Sequence, residues 1–389
     1  MRILVASHTY IVDINRAKFK ILANLEPDIE VTIVVPQRWK PGGVQNKIIE
    51  TEFYQQGSFK VVPISNFSQN NQGLLTFSTD IIQLLQEFQP QIIQVEQGSK
   101  SLAYAQLIAL NKILKFKAKN IFFTWWNLPY QLKWPVSVLE NCNLQHTDGI
   151  IAGNLDGSKI LRQRGYQNTL KVMPQLGVDE TLFYPTSKDA DLSHRFGIES
   201  TDFVVGFVGR FVEEKGLLTL GEALAGLKQL PWKWLLVGQG KLRSQLVKKS
   251  IEWGISDRII WVESVSHEEV PAYINLINCL VLPSQTSYKF KTLTTVGWKE
   301  QFGHVLIEAM ACKIPVIGSD CGEIPHVIGD AGLIFPEGNA EKLRDCLRQL
   351  MQRPELVADL GDRGYHRVMN NYTNQALAEQ LLEFYKELL

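Results

Sequence analysis

Residues 300–318, which read EQFGHVLIEAMACKIPVIG, decide the fold. The apolar run Val305 to Ala311 predicts a buried helix after Gly303, and residues 315–318 predict a short strand. Short apolar runs and longer helical patterns alternate in this way along most of the chain. Strands that alternate with helices of this kind indicate βαβ units and a parallel sheet.

The first half of the chain repeats the alternation. Strands are predicted at 3–6, 31–35, 92–95, 121–124 and 149–152, and helices at 17–25, 81–88, 102–114 and 157–164. Segment 174–195 follows and predicts a linker, because Pro174, Gly177 and Pro185 are turn residues. The chain has 389 residues, whereas a single core rarely exceeds about 250–300 residues.

The alternation starts again after the linker. Strands are predicted at 203–208, 234–237, 259–262, 280–282, 315–318 and 333–335, and helices at 217–227, 241–251, 271–277, 305–311, 340–352 and 375–388. The predicted fold class is therefore α/β, with two doubly wound parallel-sheet domains at 1–173 and 196–369.

The charges balance, with 40 Lys+Arg and 40 Asp+Glu. This balance argues against a general nucleic-acid partner, which would favour a basic protein. Residues 1–185 carry 18 Lys+Arg against 14 Asp+Glu, so the first half is mildly basic. Within it, the spacing of Lys112, Lys115 and Lys119 predicts one basic helix face. That face would be either a solvated surface or a contact with anionic lipid.

The five cysteines are scattered without a CxxC pair. This usage predicts a reducing compartment and no structural zinc. No signal-peptide pattern and no apolar stretch of about 18–20 residues is present in the sequence. We therefore expect a cytoplasmic protein, with peripheral contact at the inner face of the membrane left open.

The loop after the predicted strand 203–208 contains candidate ligand-binding residues, because ligands in open α/β sheets bind beyond the carboxyl ends of strands. Gly209 would let the backbone approach a ligand, and Arg210 and Lys215 offer cations suited to phosphate oxygens. A helix is predicted to begin near Gly216, and its N-terminus adds partial positive charge. Together these residues predict a diphosphate site.

Two other interpretations of these loops stay open. Arg210 and Lys215 could simply pair with Glu213 and Glu214. The sequence Gly238-Gln239-Gly240 also follows a strand, but it lacks the third glycine of a dinucleotide fingerprint, so a tight turn explains it as well.

Two carboxylates bracket the helix predicted after Gly303. Glu300 would lie on the preceding loop and Glu308 in the second turn, on either side of N–H groups that favour an anion. A nucleotide sugar has this layout, with hydroxyls on both sides of its diphosphate. The alternative is a surface Glu300 and a helix-capping Glu308.

These motifs resemble the retaining glycosyltransferases of the GT-B fold, family 4 (group 1, glycogen-synthase-like). The resemblance covers about 174–340, and it rests on Glu300 to Glu308 (E-x7-E), Val208-Gly209-Arg210 with Lys215-Gly216, Leu236 to Gly240, Leu282-Pro283-Ser284, and Leu176 to Asp179 with Phe183. It implies two Rossmann-like domains that face a cleft, with the C-terminal helix within 370–389 crossing back to the first domain.

The resemblance also implies residue roles. Arg210 and Lys215 would neutralise the donor diphosphate, Glu300 would contact the donor sugar, and Glu308 would hold the ribose hydroxyls. Further donor contacts are implied at Gly209 and at the main chain of Phe302, Gly303 and His304. The resemblance implies that neither a metal nor another cofactor is needed. It also implies that the partners are a nucleotide sugar and an acceptor.

The chain departs from the family pattern in segment 285–299, which is longer than in many members. Its lysines and threonines predict an exposed loop beside the donor site; they are Lys289, Lys291, Thr292, Thr294 and Thr295. This loop could be a mobile lid, an acceptor clamp or a passive insertion.

The first domain departs as well. Ser7-His8-Thr9-Tyr10 stands where many members have a Gly-Gly loop, and Gly42-Gly43 comes too late to replace it. His8 and Glu96 lie at predicted strand ends, where either an acceptor contact or a structural role is expected. Asn127 could hydrogen-bond a sugar. Trp125 or Trp126 could stack on one, although a core role for at least one of them is favoured.

The sequence thus predicts a retaining glycosyltransferase that moves a sugar from a nucleotide-diphosphate sugar to an acceptor hydroxyl. The acceptor could be a glycan, a lipid-linked saccharide or a small molecule. The alternatives are a non-catalytic nucleotide-sugar-binding protein of the same fold and, from the glycines at 238 and 240, a nicotinamide oxidoreductase.

Overall fold

The chain folds into two units, each built around its own largely parallel sheet. The computed structural model describes residues 1–40, 48–291 and 296–389. The first unit contains Met1–Gly177 and Asn374–Leu389, and the second contains Val178–Thr373.

The first unit has an eight-stranded sheet in the order β10-β9-β8-β7-β1-β2-β6-β5. Its pairs are parallel, except that β5 runs antiparallel to β6. Its elements in chain order are β1 Arg2–Ala6, α1 Ala17–Leu25, β2 Glu30–Pro36, β3 Arg38–Trp39, β4 Ile49–Glu50, β5 Tyr54–Gln56, β6 Phe59–Ile64, α2 Asp80–Phe88, β7 Ile92–Val95, α3 Leu102–Leu114, β8 Lys119–Thr124, α4 Val136–Gln145, β9 Gly149–Ala152, α5 Leu155–Gln163 and β10 Thr169–Val172.

The second unit has a six-stranded parallel sheet in the order β13-β12-β11-β14-β17-β18, with a separate hairpin of β15 and β16. Its elements are α6 Ala190–Arg195, β11 Phe203–Val208, α7 Leu217–Ala225, β12 Trp232–Val237, α8 Arg243–Glu252, β13 Ile259–Val262, α9 Val270–Ile274, β14 Cys279–Leu282, β15 Ser287–Lys291, β16 Val296–Trp298, α10 His304–Ala311, β17 Val316–Ser319, α11 Ile324–Ile328, β18 Gly332–Phe335, α12 Ala340–Gln352 and α13 Pro354–Asn371.

The predicted α/β class with parallel sheets is confirmed. Strands such as β1, β7, β9 and β14 are buried on both faces and mostly apolar, which is why runs of apolar residues identified them. The elements that the sequence did not predict include β6, whose Pro63 suggests a non-strand segment, β10, α4, α6 within the predicted linker, α11 and α13.

The last helix, α14 Asn374–Leu388, belongs to the first unit, as the family resemblance implied. It packs against α1, and Leu377, Leu381 and Tyr385 are fully buried. The hydroxyl of Tyr385 donates a hydrogen bond of 2.7 Å to Oε1 of Gln94 in β7. The chain therefore completes its first core with its final residues.

The predicted basic helix face is wrong. Helix α3 ends at Leu114, because Lys115 adopts a left-handed backbone with φ of 58°. Lys119 then lies in strand β8, so Lys112, Lys115 and Lys119 do not share a helical face. Across the residues that the structure describes, no helix combines the length and apolarity needed to cross a membrane.

Candidate active site

The loops that follow β11 and β14 meet at one edge of the second sheet, because these strands are parallel neighbours. There Nζ of Lys215 donates to Oε2 of Glu300 at 2.5 Å. Oγ of Ser284 donates to the same carboxylate oxygen at 2.7 Å. The structure thus brings together two residues that the sequence predicted separately, and it adds Ser284 from the quoted motif.

This ion pair is shielded from water. The side chains of Lys215 and Glu300 are 16% and 9% exposed, and Ser284 is fully buried. The backbone N–H of Glu323 donates to the carbonyl of Glu300 at 3.2 Å, which anchors the loop before α10. Charges at such low exposure interact strongly, so loss of either partner leaves an unbalanced charge.

The turn that carries Lys215 spans Glu213–Lys215 and leads into α7 through Gly216. The alternative pairing of Lys215 with its neighbours is not observed, since Glu213 pairs with Lys289 instead. The side chain of Arg210 is exposed, and no ion pair to it is present among the described residues. The structure therefore places Lys215 in the ionic cluster and leaves the side chain of Arg210 exposed.

Helix α10 begins at His304, with Gly303 as an N-cap whose φ is 85°. Oε1 of Glu308 lies 3.1 Å from Nδ1 of His304, one turn back along the helix. Phe302 is buried, and its ring packs against Tyr372 at 5.6 Å between centroids. Glu300 and Glu308 thus bracket the positive end of this helix, which is the predicted arrangement.

Within segment 285–299, where a loop was predicted, most of the described residues form two strands. Strands β15 and β16 pair as an antiparallel hairpin, and the aromatic and polar alternation of Ser287 to Lys291 is the signal that could have found it. The ring centroid of Trp298 lies 5.3 Å from Nζ of Lys215, a contact between distant residues that no local sequence pattern indicates. Thr292, Thr294 and Thr295 lie outside the described residues, as do Gly42 and Gly43.

Gly238 lies where two loops approach each other closely. A Cβ placed on Gly238 would lie 2.0 Å from the carbonyl oxygen of Gly209, in the loop after the neighbouring strand. The backbone N–H of Gly238 donates to Val262 in the same region. This packing accounts for the glycine as a turn residue and gives no separate support to a dinucleotide fingerprint.

A cavity of about 650 Å³ lies in the first unit, beyond the carboxyl ends of β1 and β2. Its lining is mostly uncharged: His8, Thr9, Ile11, Val12, Asn15, Trp39, Lys40, Asn70, Asn71 and Gln72. Burial lowers the pKa of His8 to about 4, so its imidazole is neutral at pH 7. The His8 ring lies 4.9 Å from that of Trp39.

Glu96 lies just after β7 but inside the core of the first unit. Its carboxylate accepts hydrogen bonds from Tyr10, from Nε2 of Gln94 at 2.7 Å and from Nε2 of Gln175 at 2.7 Å. Nζ of Lys18 is 4.0 Å away. The structure therefore gives Glu96 several internal partners, and the residues that line the cavity do not include it.

Asn127 follows β8 and is buried. The neighbouring Trp125 packs on the core and donates from Nε1 to Oε1 of Gln175 at 2.9 Å. Trp126 lies under the ammonium of Lys100, whose Nζ is 3.9 Å from the ring centroid. One tryptophan is thus a core residue, as favoured from the sequence, and the other contacts a lysine.

Residues 189–367 match the family model described as glycosyl transferases group 1. These residues form a group 1 glycosyl transferase domain. The family resemblance inferred from the sequence is thereby confirmed. The domain contains Lys215, Ser284, Glu300 and Glu308, so the ionic cluster described above is part of it.

The chain is also similar to curated proteins. An alpha-D-kanosaminyltransferase of Streptomyces kanamyceticus is 27% identical over 206 residues, which cover 52% of this chain and 50% of that protein. An N-acetyl-alpha-D-glucosaminyl L-malate synthase of Bacillus anthracis is 26% identical over 54% of this chain and 52% of that protein. The chain thus spans about half the length of the curated relatives it matches.

Solved structures resemble the whole chain. A sucrose-phosphate synthase from Thermosynechococcus elongatus has a TM-score of 0.71 at 19% identity, covering 100% of this chain and 99% of that one. Anabaena HepE in complex with UDP has a TM-score of 0.70 at 16% identity, covering 99% of each chain. At such identities the likeness shows the fold alone, which is GT-B.

Proposed function

We propose that this protein is a retaining glycosyltransferase that moves a sugar from a nucleotide-diphosphate sugar to an acceptor hydroxyl. The observation that carries the proposal is the shielded pair of Lys215 and Glu300 beside the N-terminus of α10, within the group 1 domain. HepE, which shares the fold, has been solved with UDP and with UDP-glucose. These complexes support a nucleotide sugar as the donor here.

The donor diphosphate would be held by positive charge. Lys215 and Arg210 neutralise the negative charge that grows on the leaving diphosphate as the sugar departs. The main chain at Gly209 and the start of α10 at residues 302–304 supply further N–H groups and the helix dipole. We propose that these groups meet the diphosphate charge without a divalent metal ion.

The two carboxylates would hold the two ends of the donor. Glu300 accepts hydrogen bonds from the donor-sugar hydroxyls, while Ser284 and Lys215 fix its orientation. Glu308 accepts from the ribose hydroxyls, and His304 orients it. Retention would follow from attack by the acceptor on the face that the diphosphate leaves, with no protein nucleophile assigned.

We propose the cavity of the first unit for the acceptor. Hydroxyl, amide and neutral imidazole groups at Thr9, Asn15, Asn71 and His8 suit a hydroxylated molecule, and the described residues that line the cavity include no carboxylate. Asn127 and Glu96 follow neighbouring strands of the same sheet, and Glu96 would act there by holding Tyr10 in place.

Acidification is expected to destabilise the first unit through His8. The lowered pKa, about 4 in the folded chain against an ordinary 6.5, means that the unfolded chain binds this proton first. The free energy of unfolding is therefore unaffected by this group above pH 6.5 and falls between pH 6.5 and pH 4, by up to about 3 kcal/mol. Urea titrations at pH 7 and pH 5 should show a smaller loss for His8→Asn than for the wild type. The exposed His194→Asn serves as control, and equal losses in all three proteins would contradict the expectation.

The proposed function is tested by donor turnover. Purified protein is incubated with UDP-glucose and with ADP-, GDP- and dTDP-sugars in the presence of a panel of saccharide and polyol acceptors. Release of nucleoside diphosphate that depends on the acceptor, with an α-linked product from an α-linked donor, supports a retaining transferase. Donor binding without release in any combination would favour the non-catalytic binder, and selective binding of a reduced nicotinamide dinucleotide would favour the oxidoreductase.

A further inference from the structure

The hairpin of β15 and β16 contacts the turn that carries Lys215 at two points. The ring of Trp298 lies 5.3 Å from Nζ of Lys215, and Lys289 forms an ion pair with Glu213 at the other end of the turn. The first contact is made to Lys215 itself, which also pairs with Glu300, and the second is made to Glu213, two residues before Lys215. The hairpin is also the segment in which this chain departs from the family pattern.

We propose that Trp298 is a positioning residue of the donor site: its ring keeps the Lys215 ammonium beside Glu300 and thereby sets the affinity for the donor diphosphate. This inference rests on the proposed function. A cation over an indole face is attracted by the ring quadrupole, and the attraction grows when water is excluded. Lys215 is largely shielded, and Trp298 itself is partly buried.

The ring also restricts the lysine. A lysine side chain has four rotatable bonds, and holding it in one place costs conformational entropy each time a ligand is bound. With Trp298 on one side and Glu300 on the other, this cost is met in the folded protein before the diphosphate arrives. Removal of the ring therefore weakens diphosphate binding without removing any group that touches the diphosphate.

The second contact is not expected to contribute. The side chains of Lys289 and Glu213 are 76% and 58% exposed, and exposed ion pairs contribute little to stability. Lys289→Met is therefore a matched control, because it changes the same hairpin and removes a contact to the same turn.

The test is direct titration calorimetry with two probes. The first is the tightest binder among UDP, GDP, ADP and dTDP, and the second is inorganic pyrophosphate, which has neither base nor ribose. Trp298→Ala and Trp298→Leu are expected to weaken both probes about fivefold to tenfold, the range of one partly shielded cation–π contact. Trp298→Phe should restore most of the affinity because it keeps an aromatic face, and Lys289→Met should stay within twofold of the wild type.

The outcomes separate the two proposals. If the wild type binds a nucleoside diphosphate and Trp298→Leu binds it equally well, the positioning role is overturned and the proposed function stands. If the wild type binds none of the diphosphates, the proposed function falls and this inference falls with it. If Trp298→Phe loses as much affinity as Trp298→Ala, an aromatic face over Lys215 does not set the affinity, which also overturns the inference.

Discussion

Lys215→Met is expected to lower the turnover number by about 10²–10³-fold. Methionine keeps the aliphatic length of the side chain but removes the charge that faces Glu300 and, in the proposed mechanism, the leaving diphosphate. Removal of one preorganised hydrogen-bonding group that faces a developing anion typically lowers the turnover number by this factor, because no other group in a shielded site can take its place. Release of nucleoside diphosphate from the best donor and acceptor pair gives the rate.

Two comparisons make this result specific. Lys289→Met removes another lysine from an ion pair nearby, and its rate should stay within about twofold of the wild type because that pair is exposed. In Lys215→Met, the carboxylate of Glu300 loses its cation. The double variant Lys215→Met/Glu300→Gln also removes the negative charge of that carboxylate. The double variant should regain thermal stability without regaining turnover. Turnover of Lys215→Met near the wild-type rate would remove Lys215 from the mechanism.

Local sequence patterns were sufficient to predict how the residues around α10 are arranged. Gly303, an apolar run and a proline define the start and end of the helix, so the positions of Glu300 and Glu308 relative to its N-terminus follow from the chain itself. The loop after β11 could be placed at the same sheet edge for a similar reason, because parallel strands align their carboxyl ends.

Contacts between distant residues could not be predicted in this way. Lys215 and Glu300 are 85 residues apart, and no local pattern distinguishes Glu300 from Glu213 as the partner. Glu96 resembles an exposed site residue by its position after a strand, yet Tyr10, Lys18 and Gln175 close around it from elsewhere in the chain. The lysine spacing favoured one helix with a basic face, but the left-handed backbone at Lys115 ends that helix.

Gly216→Ala is expected to lower the midpoint of thermal unfolding of the second unit by about 10 °C. Gly216 has φ of 67°, and a Cβ at this position would lie 1.8 Å from the carbonyl oxygen of Pro283. The left-handed backbone costs an alanine about 1–2 kcal/mol. The overlap adds to this cost, because both partners are backbone, fixed by the start of α7 and by the end of β14.

Gly197→Ala isolates the contribution of the overlap. Gly197 has φ of 60° in the same unit, but no atom lies within 4 Å of the position its Cβ would take. This variant should therefore lose about 2–8 °C, the effect of the left-handed backbone alone, and less than Gly216→Ala. Calorimetric scans of both variants measure the difference, and equal shifts would show that the chain around Pro283 relaxes without cost.

The same overlap is expected to affect the donor site. Gly216 directly follows Lys215, and Pro283 directly precedes Ser284, so separating these two backbones moves apart two of the groups that meet at Glu300. Gly216→Ala should therefore bind nucleoside diphosphate more weakly at temperatures where it is fully folded, whereas Gly197→Ala should bind it like the wild type. Unchanged affinity in folded Gly216→Ala would mean that the contact between the two loops supports stability alone, and that Glu300 keeps its partners by another route.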